Sequence, residues 1–185
     1  MPAKRATNKP ARKGAKELVH HPVNDLRRAY EHLGRIEIVE GALAGSPFVD
    51  VTELTALAHQ QLAIGYTRNA VDLLRAAEHI CFAALAPNRS SEPLIGSDLR
   101  RALAIEFEGL MRRAEEQWED EDAPTTRRVI EDLFARALDQ ARSTFDRGSY
   151  RPALEFARAA EALSHVGDGL PAALPDRGLV GQLAS

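Results

Sequence analysis

The side chains best suited to chemistry in this sequence are its six histidines. A zinc site takes three or four protein ligands, which on helices come as pairs at helical spacing. No histidine forms such a pair with a second pair elsewhere in the sequence. Glu17 and His20 have the spacing of one di-iron bundle ligand motif, but no matching motif occurs on another predicted helix. We therefore expect neither a metal nor a cofactor.

Ser164, His165 and Asp168 are residue types found in catalytic triads. They are neighbours in sequence, whereas triad members converge from separate elements around a strained nucleophile turn. The sequence also contains no glycine-rich loop that could hold a phosphate. These patterns identify no catalytic residue, and we expect a protein that is not an enzyme.

The strongest pattern is an internal repeat. The segment 65–80, GYTRNAVDLLRAAEHI, is similar to the segment 148–163, GSYRPALEFARAAEAL, and a shift of 83 gives eight identities in 23 aligned positions. The word DLRRA at 25–29 also recurs at 98–102, with a shift of 73. The repeat predicts an all-α fold of six main helices, built as two related three-helix units that form a bundle, about 24–86 and 97–166. Similarity through shared composition alone remains the alternative.

The composition favours closely packed helices. Hydrophobic residues make up 44% of the chain and aromatic residues only 5%, so the core should be aliphatic and rich in alanine. The single cysteine, Cys81, falls on the apolar side of a predicted helix and should be a buried thiol. No apolar run has the length of a membrane span and the N-terminus has no secretory pattern, so we expect no membrane contact and a cytoplasmic protein.

Charge divides the chain into regions. Residues 1–16 carry a net charge of +6, whereas the remainder carries −9. We predict a disordered basic tail at 1–18, an all-helical domain at 19–168 and a loose C-terminal tail at 169–185. The basic tail could contact nucleic acid by releasing counterions or could only solubilise the chain, and it has no aromatic residue for base stacking.

Two local patterns give further expectations. Asp50 and Glu53 have the spacing of a capping box, which predicts that the second helix starts at Asp50. Four charged residues on the third helix, and their copies on the sixth, are spaced to form pairs within one helix. We expect both sets to face solvent: Arg68, Asp72, Arg75 and Glu78, and Arg151, Glu155, Arg158 and Glu161.

The small residues of the repeated hairpins resemble the skeleton of tetratricopeptide repeats. They are Ala58, Gly65, Ala70 and Ala77, with Ala141, Gly148, Ala153 and Ala160 in the second copy. Tyr150 also stands at an aromatic position of that family, whereas Gln61 and Thr144 stand where an aromatic is usual. The resemblance implies a scaffold that binds another protein or a peptide through the first helix of each hairpin. It implies these contact residues, unless the apolar ones are core contacts: Thr52, Thr55, His59, Leu62, Leu138, Arg142, Phe145 and Asp146.

The same hairpins are similar to those of HEPN domains, whose ribonuclease members carry an arginine followed after four to six residues by a histidine. Arg158 with His165 and Arg27 with His32 fit this spacing, which a chain rich in arginine also produces by chance. This resemblance implies an RNA-cleaving or toxin-type protein. We favour the non-catalytic scaffold and keep the HEPN-like enzyme, or a protein associated with nucleic acid through its basic tail, as the alternative. The oligomeric state is left open.

Overall fold

A computed structural model of the chain describes residues 22–86, 96–119, 125–167 and 170. These residues contain helices and no strand, which confirms the all-α prediction. The six α-helices are α1 (Pro22–Val39), α2 (Ser46–Ala63), α3 (Thr67–Leu85), α4 (Ser97–Trp118), α5 (Glu131–Asp146) and α6 (Tyr150–Ser164). Two short 3-10 segments, Glu40–Ala42 and Thr125–Ile130, follow α1 and precede α5. The predicted basic tail lies outside the described residues.

Two helices form the centre of the bundle. α3 packs against α1 and α2, α6 packs against α4 and α5, and α3 and α6 pack against each other. His79 late in α3 contacts Glu155 early in α6, while Asn69 early in α3 contacts Gly167 just after α6, so the two central helices are antiparallel. Between these contacts lie Ala76 and Ala159, both fully buried. Alanine at this position lets the two backbones approach closely.

The turns of the two hairpins have the same geometry. Gly65 and Gly148 have φ values of +87° and +77°, in the left-handed region that glycine adopts without a steric penalty. In the first turn the amide of Tyr66 donates to the carbonyl of Gln61 at 2.9 Å, and in the second Ser149 donates to Thr144 at 3.0 Å. Both glycines end a helix, as predicted, and residues 83 apart make equivalent hydrogen bonds.

The repeated DLRRA word does not mark equivalent places in the two halves. Ala29 is fully buried on α1, whereas Ala102 is exposed on α4. A shift of 78, instead of 73, superimposes the buried positions of the outer helices: Ala29, Leu33 and Ile36 on α1, and Phe107, Met111 and Ala114 on α4.

Aromatic rings fill the space between α4 and α5. The rings of Trp118 and Phe134 stack with centroids 4.0 Å apart, and those of Phe107 and Phe145 with centroids 4.2 Å apart. Tyr150 meets Phe145 edge-on at 5.1 Å. Stacked pairs of this kind add about 0.5–1.5 kcal/mol beyond the burial of their area. Phe145 is therefore part of the packing of the second half.

The chain that follows α6 turns back onto α3. Val166 is fully buried, and Leu170, which the sequence assigned to a loose tail, is also buried. The side chain of Asn69 accepts a hydrogen bond from the amide of Gly167 at 2.9 Å and donates one to the buried Gln61 at 3.1 Å. This amide contact ties α2, α3 and the segment after α6 together. The rest of the predicted C-terminal tail lies outside the described residues.

The predicted start of α2 was wrong. The helix begins at Ser46 with Pro47 in its first turn, so Asp50 and Glu53 lie inside it and not at its cap. Both carboxylates instead face Arg136 of α5, whose Nη2 is 2.9 Å from Asp50 and 3.6 Å from Glu53. Because Glu53 and Arg136 are themselves 83 residues apart, this ion pair joins equivalent positions of the two halves.

Candidate functional site

Of the four charged residues predicted to face solvent on α3, the two acids are instead buried, whereas Arg68 is exposed as predicted. Asp72 and Glu78 have side chains only 1% and 10% exposed. Sequence periodicity marks the apolar stripe of a helix, but α3 has neighbours on three sides, so residues flanking the stripe are covered as well. A buried carboxylate needs charged or hydrogen-bonding partners. Asp72 has Arg68 of its own helix, as the spacing predicted, whereas Glu78 has Arg35 of α1.

Glu78 is bound by two residues of α1. Arg35 of α1 makes a bidentate ion pair with it, with Nε at 2.6 Å and Nη2 at 2.9 Å from the carboxylate oxygens. The Nδ1 atom of His32 makes a short contact with the same carboxylate. Burial raises the pKa of Glu78, but the hydrogen bonds from His32 and Arg35 outweigh it and lower the pKa to about 2. Glu78 therefore stays ionised and fixes α1 on α3.

A second group of this kind joins the two central helices. Nδ1 of His79 on α3 lies 2.7 Å from Glu155 on α6, and Arg158 donates to the same carboxylate at 2.7 Å. Burial raises the pKa of Glu155, and the hydrogen bond from His79 with the charges of His79 and Arg158 turns the net change into a lowering. The other fork of Arg158 donates to Glu106 of α4 at 2.8 Å.

Glu161 repeats the position of Glu78 in the second half. It accepts a hydrogen bond from Arg113 of α4 at 2.7 Å. Arg113 and Arg35 are 78 residues apart, the same shift that matches the buried faces of α4 and α1. The two outer helices are thus held by equivalent arginine–glutamate pairs, of which only the first has a histidine as well.

Asp72 is buried more deeply than Glu78. Burial raises its pKa despite the opposing charges of Arg68, His165 and Arg75. Its Oδ2 atom lies 3.0 Å from Nε of Arg68, whose side chain is half exposed. A buried carboxyl group with a raised pKa is a general-acid candidate, but the side chain of Asp72 is only 1% exposed and is covered by its neighbours.

The arginines and histidines that fit the HEPN spacing make contacts with other residues of the bundle. Arg158 is held between Glu155 and Glu106, while His165 is exposed beyond the end of α6. On α1, His32 contacts Glu78, and Arg27 lies 3.7 Å from Glu31. Three of these four side chains are therefore engaged in ion pairs.

Two of the four partner-binding residues predicted on α5 lie in the packing of the second half. Leu138 is buried and Phe145 stacks on Phe107. Arg142 is exposed and pairs with Glu115 of α4, and Asp146 is exposed.

The four partner-binding residues predicted on α2 share one side of that helix. Thr52 and Thr55 are partly buried and His59 is exposed. Leu62 is partly buried and packs against the core, so it is a core contact as well. Phe48, one turn before Thr52 and 45% exposed, lies on the same side and was missed by the sequence prediction. We call the set of Phe48, Thr52, Thr55, His59 and Leu62 the α2 face. Within the described residues the buried hydroxyl of Thr55 has no hydrogen-bond partner.

No metal-binding group of three or more histidine, cysteine, aspartate or glutamate side chains occurs in the described part of the chain. Glu17 and His20 lie outside that part. Cys81 is buried as predicted, and burial, with the nearby charges of Glu40 and Glu78, raises the pKa of its thiol to about 12. Among the helices of the described segments, none combines the length and apolar character needed to cross a membrane.

No family model matches the chain, and neither the curated proteins nor the solved structures contain a significant match to it.

Proposed function

We propose that the chain is a non-catalytic helical scaffold that binds another protein. The observation that carries this proposal is the engagement of Arg158, whose guanidinium is neutralised by Glu155 and Glu106. An arginine that stabilises a developing negative charge must have donors free to reach the reacting group. Here both terminal nitrogens are bonded to carboxylates, one to Glu155 within α6 and the other to Glu106 of α4.

The α2 face is the surface we assign to the partner. Phe48 supplies an apolar side chain that a partner could remove from water, and His59 supplies an exposed polar group for orientation. The spacing of the five residues puts them on one stripe about four turns long. A stripe of this length suits a helical or extended peptide.

The interaction is tested by a pull-down with the full chain carrying Phe48→Ser and His59→Ala. The expected result is loss of specific partners with an unchanged thermal midpoint. Ile105→Ser is the matched control, because Ile105 is an exposed apolar residue of α4, on another side of the bundle. If the control loses the same partners, or the α2 variant keeps them, the α2 face is not the binding surface.

The HEPN-like alternative is tested by an RNA-degradation assay. We expect no cleavage above the level of a mock purification, and no difference between the wild type and His165→Ala. Cleavage that His165→Ala abolishes would reject the non-catalytic proposal. A salt titration of duplex binding, with and without residues 1–18, tests the contribution of the basic tail.

We also propose that the two halves descend from one duplicated three-helix unit. Support comes from the matched turn hydrogen bonds at a shift of 83, the matched arginine–glutamate pairs and the matched neighbours of α3 and α6. A least-squares superposition of 51–84 on 134–167 tests it. Backbones that do not overlay as one hairpin would leave similarity of composition as the explanation.

A further inference from the structure

The exposed side of α1 carries an apolar row that the bundle does not use. Leu26, Tyr30 and Ile38 are 40%, 63% and 83% exposed, and Gly34 lies between the last two at the same four-residue spacing. Residues four apart form one ridge along a helix surface. We call Leu26, Tyr30, Gly34 and Ile38 the α1 ridge.

The equivalent side of α4 has a different character. At the shift of 78 that matches the buried faces and the arginine–glutamate pairs, the α1 ridge corresponds to Ala104, Glu108, Arg112 and Glu116. α4 occupies the same place on α6 that α1 occupies on α3, yet its outer row is mostly charged. The scaffold therefore does not require an apolar row at this place.

Gly34 is a second, independent feature of the ridge. It lies inside α1, and a Cβ added to it would meet nothing within 4 Å. Glycine within a helix costs about 1 kcal/mol relative to alanine, and nothing within the described residues explains this cost. A missing side chain between Tyr30 and Ile38 leaves a notch in the exposed ridge, which would admit a large side chain from outside.

We propose that the α1 ridge is the contact surface between two copies of this chain, packed as antiparallel α1 helices about a two-fold axis beside position 32. This surface is distinct from the α2 face, so the inference goes beyond the proposed function. Ridges of the four-residue type interdigitate at about −50°. In this pairing Tyr30 of each copy enters the Gly34 notch of the other, and Leu26 meets Ile38.

The charges beside the ridge favour a second copy over a strongly charged partner. Arg27 and Glu31 border it with side chains 70% and 51% exposed. These two residues lie on one flank of the ridge, and Glu37 is exposed on the other. Around the two-fold axis the four charges on the first flank of both copies are arranged positive, negative, negative, positive, with no net charge. Two such ridges bury on the order of 1,000 Å², near the lower limit for specific association, so the dimer should dissociate on dilution.

The charges provide the sharpest test. Arg27→Glu makes the flank that carries these two residues wholly acidic and Glu31→Arg makes it wholly basic, so each variant should repel itself and sediment as a monomer. Mixed in equal amounts, the two full-length variants should form a heterodimer at least as stable as the wild-type dimer. Analytical ultracentrifugation over micromolar to millimolar concentrations measures all three. A mixture that stays monomeric while wild type dimerises would overturn the proposed pairing.

Further variants separate the contact from folding. Gly34→Gln fills the notch with a better helix former, so the thermal midpoint of the monomer should not fall while dimer dissociation increases at least tenfold. Ile38→Glu should weaken the dimer similarly, and Ile105→Glu on α4 should not. A wild-type chain that is monomeric at every concentration, or a dimer that Ile38→Glu and Ile105→Glu affect equally, would overturn the proposal.

Discussion

Replacing Glu78 with glutamine should destabilise the protein more than any other single carboxylate-to-amide change on α3 or α6. The substitution keeps the size of the side chain and removes the negative charge of the carboxylate to which His32 and Arg35 both bind. The pKa of Glu78 is lowered from 4.5 to about 2, which at about 1.4 kcal/mol per pH unit corresponds to roughly 3 kcal/mol at neutral pH. Arg35 is 47% exposed and can be rehydrated, so we expect a measured loss of about 2–3 kcal/mol.

The sign of the pH dependence follows from the direction of the shift. A carboxylate whose pKa is lowered by folding contributes its stability above the pKa of the unfolded chain and loses it as the pH falls through the folded pKa. The difference in unfolding free energy between wild type and Glu78→Gln should therefore be full at pH 7 and decline as the pH falls from about 4.5 towards 2.

Urea denaturation followed by circular dichroism, at neutral pH and at several acidic pH values, measures this difference. Glu161→Gln is the matched control, since Glu161 has the equivalent position but binds only Arg113, which is 54% exposed. We expect that variant to lose at most about 1 kcal/mol, as for exposed pairs. If the unfolding free energy falls equally in both variants, or if the Glu78→Gln difference does not change with pH, His32 and Arg35 do not stabilise the Glu78 carboxylate in the way proposed.

Three further predictions concern local features. Gly148→Ala should lower the unfolding free energy by about 1–2 kcal/mol, because alanine is strained at a φ of +77°, whereas Gly109→Ala in the middle of α4 should be neutral or slightly stabilising, as urea denaturation would show. Cys81 should resist thiol reagents at pH 8 in the folded protein and react on unfolding, since its pKa is raised to about 12; rapid labelling of the native chain would contradict this. Asn69→Ala should cost about 1–3 kcal/mol and increase proteolysis after α6, because it removes the bonds to Gln61 and Gly167; a protease-resistant variant would show that the contact does not hold the segment.

The features predicted well from sequence are those that depend on neighbouring residues. Gly65 and Gly148 end helices because a left-handed residue is needed there, and this requirement is visible in the sequence itself. The start of α2 was missed because Pro47 is an earlier helix-start signal than the Asp50 and Glu53 pair. The repeat predicted the similarity of the two turns because both depend on the same few residues.

The contacts between distant helices could not be predicted in this way. Arg35 and Glu78 are far apart in sequence, and each has the spacing of an ordinary surface residue on its own helix. Which surface residues become buried depends on how many neighbours a helix has, and periodicity within one helix does not give that number. The DLRRA repeat did not identify equivalent positions for a related reason. The same five residues can occur at different places along α1 and α4, with different faces turned to the core.

The position of α3 and α6 explains why the charges lie where they do. Ala76 and Ala159 allow the two helices to pack closely, and close packing brings the flanks of both helices under the outer helices. Residues on those flanks must then be small, apolar or paired, and Glu78 and Glu161 are paired by arginines from α1 and α4. The outer helices need only one face for this purpose. Their other faces are free to differ, which is why an apolar row on α1 opposite a charged row on α4 indicates a contact outside the bundle.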